Sequence, residues 1–233
     1  MIYALIACAV LLTIIFIVIR CLKGGFFALF TKTLASIAFV LVALISSYSK
    51  GLNLVFVFII LGLIFGLIGD VVLDLKVIYK QDNDVYLNAG FASFAIGHIM
   101  YFIAIILYSN SIFLADVKTF YLICAGIGIA GLVTLFIGLF GEKLLKLSFG
   151  KFKLQVIGYT FILSFMSAFS ILVSTYISIF FIFAIGITLI FVSDLVLSLQ
   201  YFGGKQNSKL LITLNHAIYY LGQIAIATSI FFI

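Results

Sequence analysis

The stretch that decides the fold is LGLIFGLIGDVVLDLK, residues 61–76, in which a long apolar run ends on a carboxylate, Asp70. A charge at bilayer depth costs at least about 2.5 to 3.5 kcal/mol on insertion scales, so an acid in that setting needs a reason to be there. Residues 185–200, IGITLIFVSDLVLSLQ, place Asp194 in the same surroundings. A shift of 124 positions superposes Gly62 on Gly186, Asp70 on Asp194, and Val72, Leu73 and Leu75 on Val196, Leu197 and Leu199. Two acids in matched apolar settings point to the working pair of an intramembrane site.

The composition agrees with a membrane reading. Of 233 residues, 66% are hydrophobic and 9% charged, far from the roughly 25% charged of soluble domains. At about 20 apolar residues per crossing, the length holds about eight spans with short loops and one integral membrane domain over 1–233, leaving no room for a soluble one. The net charge of +6 invites a nucleic-acid partner, but the basic residues sit singly or in pairs at span ends rather than along one face, so no nucleic acid is expected. Cys8, Cys21 and Cys124 follow no ligand or disulfide spacing and are expected to be buried and inert. Before Arg20 there is neither a basic leader nor a small-residue cleavage site, so the first span is expected to stay.

Spans are predicted near 2–20, 25–48, 52–75, 87–109, 119–141, 154–175, 178–202 and 209–232, an all-α bundle. The connections after the odd-numbered spans carry ten of the thirteen Lys and Arg, and those after the even-numbered spans only Lys50 and Lys118. The positive-inside rule then puts the basic connections in the cytoplasm and both termini outside. At 1.5 Å per residue, Asp70 and Asp194 lie roughly 9 to 12 Å in from that side. Lys32, Tyr159, Asn215, His216, Tyr219 and Tyr220 come in from the same side, with His98 and Tyr101 nearer the midplane. The rare polar groups thus form one layer open to the cytoplasm.

The two halves invite comparison beyond the acids. His98-x-x-Tyr101 matches His216-x-x-Tyr219 at an offset of 118, and spans one to four and five to eight are therefore expected to be halves of a 4+4 repeat related by an axis along the membrane normal. Asp70 reads either as a site residue or as a structural partner of Lys32. Asp74, one turn on, reads as a structural charge near the water boundary, and Asp82, Asp84, Asp116 and Glu142 as solvated loop residues. His98 reads either as a satisfied buried histidine or as an orienter of the acids, and Lys32 as pairing with Asp70 or with a lipid phosphate. Two Asp and two His raise the question of zinc, but no HxxxH or HExxH spacing is present, so no metal and no cofactor is expected.

Six motifs in order resemble the YhhN-like lysoplasmalogenases, eight-helix membrane enzymes. They are Lys32 with Thr33, where the family pattern commonly has proline; Gly69-Asp70; Gly97-His98-x-x-Tyr101; Tyr159 with Met166; Ser193-Asp194; and Tyr219-Tyr220-x-x-Gln223. The resemblance implies hydrolysis of the vinyl ether bond of lysoplasmalogens to a fatty aldehyde and a glycerophospho-base, in a cell (inner) membrane. It implies Asp70 and Asp194 as acid and base, with His98, Tyr219 and Tyr220 orienting them. Lys32, Tyr101, Tyr159, Asn215, His216 and Gln223 would hold the lysophospholipid drawn from the bilayer. The chemistry fits two acids sharing a proton, because an enol ether needs a proton on carbon and a negative group beside the cation that results. Which Asp holds the proton stays open, as does the oligomeric state. The rival reading is a transporter using the Asp, His and Tyr cluster as a proton relay, which predicts polar residues reaching both membrane faces.

Overall fold

The computed structural model describes residues 2–111, 116–205 and 207–233. The side chains of Lys80 and Asp116, two of the charges expected in loops, lie outside the described residues. Eight α-helices follow one another: α1 (Ile2–Leu22), α2 (Gly25–Lys50), α3 (Leu54–Ile78), α4 (Asn83–Ser111), α5 (Asp116–Leu144), α6 (Lys153–Tyr176), α7 (Phe181–Tyr201) and α8 (Lys209–Phe232). Each is long and apolar enough to cross a membrane. The chain is a multi-pass membrane protein.

The helices exceed the predicted spans most at their polar ends. α3 continues to Ile78, and α4 begins at Asn83 with Asp84 in its first turn, where a carboxylate meets the positive end of the helix dipole. Side-chain caps start two others: Asn53 accepts from the Phe56 amide at 3.0 Å and Ser208 from the Leu211 amide at 3.4 Å. Asp84 and Glu142 therefore sit on helix ends rather than in loops. There they pair with Lys151 and Lys153 respectively. Cys8 and Cys124, expected inside, are exposed on the apolar outer wall, where hydrocarbon would solvate a thiol much as a core does.

Packing follows the chain order, with α1 on α2, α2 on α3, α3 on α4, then α5 on α6, α6 on α7 and α7 on α8; α8 closes onto α1 and α2, and α4 onto α5 and α6. Advancing every helix by four maps this neighbour pattern onto itself, except that α3 approaches α8 closely whereas α4 and α7 meet through side chains, as where the Tyr101 ring stands edge-on to Phe183 at 5.7 Å. The expected 4+4 repeat is supported by that order and by two glycine seams. Between α3 and α4 a Cβ on Gly97 would lie 3.0 Å from the Gly62 carbonyl oxygen, and one on Gly62 would strike the Tyr101 ring. Between α7 and α8 a Cβ on either Gly186 or Gly222 would lie 2.8 Å from the other's carbonyl oxygen. Small residues are what let helix backbones approach so closely.

These seams correct the register expected for the second pair. Gly62 matches Gly186 at 124, but Gly97 matches Gly222 at 125, so His98 falls on Gln223 and Tyr101 on Ile226, whose side chains fill the same place over Gly62 and Gly186. The likeness of His98-x-x-Tyr101 to His216-x-x-Tyr219 is a coincidence two helical turns out of phase. The half of the bundle away from the basic connections is packed with Phe39, Ile59, Leu63, Phe169, Phe180 and Phe183, all fully buried.

Overpacking a seam costs about 1 to 3 kcal/mol. G186A is accordingly expected to lower the thermal midpoint in detergent, because the atoms it meets are backbone. G128A, which meets nothing within 4 Å, is expected to leave the midpoint unchanged or raise it. Equal midpoints for the two variants would contradict the seam.

Candidate active site

On α2, Lys32 and Ser36 stand one turn apart, and on α3 Asp70 and Asp74 do the same, so each pair shares a helix face. The two faces meet. Lys32 Nζ lies 3.3 Å from Asp70 Oδ1 and 3.2 Å from Asp74 Oδ1. Arg20, from the last turn of α1, forks onto Asp74, with Nη1 3.1 Å from Oδ2 and Nη2 3.4 Å from Oδ1. Lys32, Asp70 and Asp74 are 4%, 2% and 3% exposed. Burial of that depth is tolerable only because two cations answer two anions. Asp74, expected near the water boundary, is thus buried: α3 carries on past it and Arg20 covers it.

The second oxygen of Asp70 collects hydroxyl donors. Ser36 Oγ donates to Oδ2 at 2.6 Å and Tyr219 Oη at 3.0 Å. Behind Tyr219 a chain of donors runs in one direction. Tyr101 Oη donates to Gln223 Oε1 at 3.4 Å, and Gln223 Nε2 donates to Tyr219 Oη at 2.9 Å. Tyr220 Oη lies 2.9 Å from Ser36 Oγ and donates to the Lys32 carbonyl at 3.2 Å, tying α8 to α2. Asp70 therefore meets donors on both oxygens, which only an ionised carboxylate satisfies completely.

Asp194 is dressed differently. Tyr159 Oη donates to its Oδ2 at 2.8 Å, and its Oδ1 has no protein hydrogen-bond partner among the described residues. It is only partly buried. Next to it, Ser193 and Asn215 lock α7 to α8: Asn215 Nδ2 donates to the Ser193 carbonyl at 2.8 Å and to Ser193 Oγ at 3.0 Å, and Ser193 Oγ donates to the Asn215 carbonyl at 3.2 Å. That clamp fixes the helix turn that carries Asp194.

Both acids line one chamber of about 910 Å³ at the end of the bundle where the basic connections gather, together with Lys32, Asp74, His216 and Tyr219. A smaller apolar recess of about 50 Å³ lies between α4, α5, α6 and α7, lined by Phe91, Ile137, Val156, Leu163 and Phe191 among others. Asp194 lines both spaces. Among the described residues no three His, Cys, Asp or Glu side chains stand together as a metal site.

The residues nominated from sequence separate into layers. Asp70, Asp194, Tyr219, Lys32, Asn215 and His216 reach the chamber, while Tyr159 faces the recess. Tyr101, Tyr220 and Gln223 stand behind them as hydroxyl and amide donors. His98 makes no hydrogen bond to either acid; its ring meets Tyr101 edge-on at 5.8 Å and its Nδ1 is buried with no hydrogen-bond partner among the described residues. His216 packs edge-on against Phe16 at 4.9 Å, and the amide of Asn215 is taken up by Ser193. Sequence reasoning missed Ser36, although its place one turn beyond Lys32 was a readable signal. Arg20 was read only as a topology charge.

The model of the YhhN family matches residues 27–230. No curated protein and no solved structure matches.

Removing one member of a buried ion network strands the others at about 3 to 5 kcal/mol. K32M is expected to lower stability by that order, and the double variant K32M/D70N by less than K32M alone, since Asp70 is the anion stranded while Asp74 keeps Arg20. Thermal or denaturant unfolding of the purified protein in detergent checks this, and additive losses would contradict the network.

Proposed function

The chain belongs to the YhhN family, and from that premise we propose that it is a membrane-embedded hydrolase that cleaves the vinyl ether bond of lysoplasmalogens. The observation that carries this reading is the unequal pair of acids lining one chamber: Asp70 with donors on both oxygens, Asp194 with one phenol on Oδ2 and no protein partner on Oδ1 among the described residues. Such a pair suits a reaction that needs an acid and an anion at once. Support against a proton-relay transporter comes from the opposite half of the bundle, where Phe39, Phe169, Phe180 and Phe183 fill the interior and buried hydroxyls such as Ser46, Ser170 and Ser229 bond to their own helix backbone.

In this mechanism protonated Asp194 gives its proton from Oδ1 to the vinyl carbon remote from the ether oxygen. The C=C pair forms the new C–H bond, and the carbon beside oxygen becomes an oxocarbenium ion. Ionised Asp70 stabilises that cation across the chamber. Water then adds to the cationic carbon while a carboxylate of the pair takes its extra proton, which restores the proton count. The hemiacetal so formed loses its hydroxyl proton to the pair, its bond to the glycerol oxygen breaks, and that oxygen is protonated. One water is consumed, and an aldehyde and a glycerophospho-base leave. Tyr159 holds Asp194 with Oδ1 turned to the substrate, and Tyr219, backed by Gln223 and Tyr101, holds Asp70.

General acid–base groups contribute about 10² to 10⁴-fold each. D70N and D194N are each expected to lower aldehyde release by at least about 10²-fold while remaining folded. Y159F is expected to lose about 10-fold, the scale of one neutral hydrogen bond. Mass spectrometry of purified protein incubated with 1-alkenyl and with ester lysophospholipids reads the result. Aldehyde release that survives in both Asn variants would remove the acid pair from the mechanism, and wild-type protein releasing fatty acid from the ester but no aldehyde would remove the substrate assignment.

A further inference from the structure

Four cations line the chamber: Arg20, Lys32, Lys76 and Lys151. Three have carboxylate partners. Lys32 and Arg20 are answered by Asp70 and Asp74, and Lys151 pairs with Asp84. Lys76 has none within ion-pair distance among the described residues. Its Nζ instead stands over the ring of Tyr201, 3.1 Å from the centroid. A ring face holds an ammonium in place and leaves the N–H donors that point away from the ring able to reach a ligand. Of the four, Lys76 is therefore the one with no carboxylate partner among the described residues.

Tyr201 also lines the apolar recess, as Asp194 does. The bare cation, the aromatic shelf and the acid therefore lie along the boundary between a polar space and an apolar one. We propose that Lys76, seated on Tyr201, binds the phosphate of a single-chain lipid whose hydrocarbon chain starts in the recess lined by Phe91, Val156, Leu163 and Phe191, which places the bond joining polar and apolar parts beside Asp194. A phosphodiester carries one negative charge and oxygens that accept hydrogen bonds, the partner an ammonium at Lys76 lacks. A chain attached through an ether has its change from polar to apolar at that ether, and Asp194 stands at the same change in the protein. The orientation rests on the hydrolase reading for the identity of the bond, but the binding it describes does not need turnover.

The chain contains no Trp, so F91W gives a single fluorescent reporter in the recess. Protein in maltoside detergent is titrated with a saturated 1-O-alkyl lysophosphoethanolamine brominated near the ether, which has no vinyl bond to cleave. Quenching of F91W is expected. Adding K76Q is expected to weaken that lipid about tenfold, which is about 1.4 kcal/mol, and adding K76R to restore it. The same brominated chain on glycerol without phosphate is expected to bind F91W and F91W/K76Q alike. Glycerophosphoethanolamine and inorganic phosphate are expected to displace the lipid only at much higher concentration. Absence of quenching would overturn the recess, and K76Q weakening both lipids equally or neither would overturn the phosphate site. Displacement by inorganic phosphate as effective as by the lipid would show a site for the free ion and overturn the lipid one. None of these readings involves aldehyde, so the binding geometry and the hydrolytic chemistry fail separately.

Discussion

The polar end of this bundle depends on one buried ammonium shared by two carboxylates. Lys32 reaches Asp70 and Asp74 at nearly equal distances, and Arg20 supplies the second positive charge. Each ion alone would be prohibitive among apolar helices; as a set of four they cancel. Geometry follows from that cancellation. α1, α2 and α3 are pinned at one depth, Asp70 is presented with both oxygens already satisfied, and Tyr219 and Tyr220 of α8 close onto the same group through Asp70, Ser36 and the Lys32 carbonyl. The rigidity of the chamber wall is electrostatic on this side and comes from close backbone contact at the two glycine seams elsewhere.

Against that background the repeat acquires a chemical meaning. In the first half α2 offers Lys32 to Asp70, and in the second half α6 offers Tyr159 to Asp194, at almost the offset that relates the acids themselves. The scaffold is the same and the partner differs: an ammonium in one case, a phenol in the other. An ammonium demands an anion opposite it, whereas a phenol can also donate to a carboxyl group that keeps its proton. The two acids of the repeat are thus held by unlike partners, brought in from positions about one turn apart in the matched helices, which suits a task needing two states of one functional group.

Much of this was written in the sequence, for physical reasons. Span lengths are imposed by bilayer thickness, so the eight helices could be read to within a few residues. The acids were conspicuous because a carboxylate in an apolar run has few innocent explanations. Lys32 stood out by the same logic, although only the fold shows that protein carboxylates take both of its ion-pair contacts. What could not be read is whatever depends on rotation and register between helices. Ser36 is an ordinary serine until α3 brings Asp70 against it. Arg20 looks like any basic residue after a span until α3 continues past Asp74. The histidine motif misled because four-residue matches arise easily in a sequence dominated by a few apolar types, and only the seam between Gly186 and Gly222 fixed the register.

The two spaces that meet at Asp194 also bear on the fate of the products. One lies among charged residues at the end of the bundle and the other among aromatic and aliphatic side chains. On the proposed chemistry a long-chain aldehyde prefers hydrocarbon and a glycerophospho-base prefers water, so the fragments depart in opposite directions into different phases. Recombination would require both to return to the same point from separate reservoirs. Such a layout makes cleavage a one-way partition, with the bilayer acting as a sink for one product.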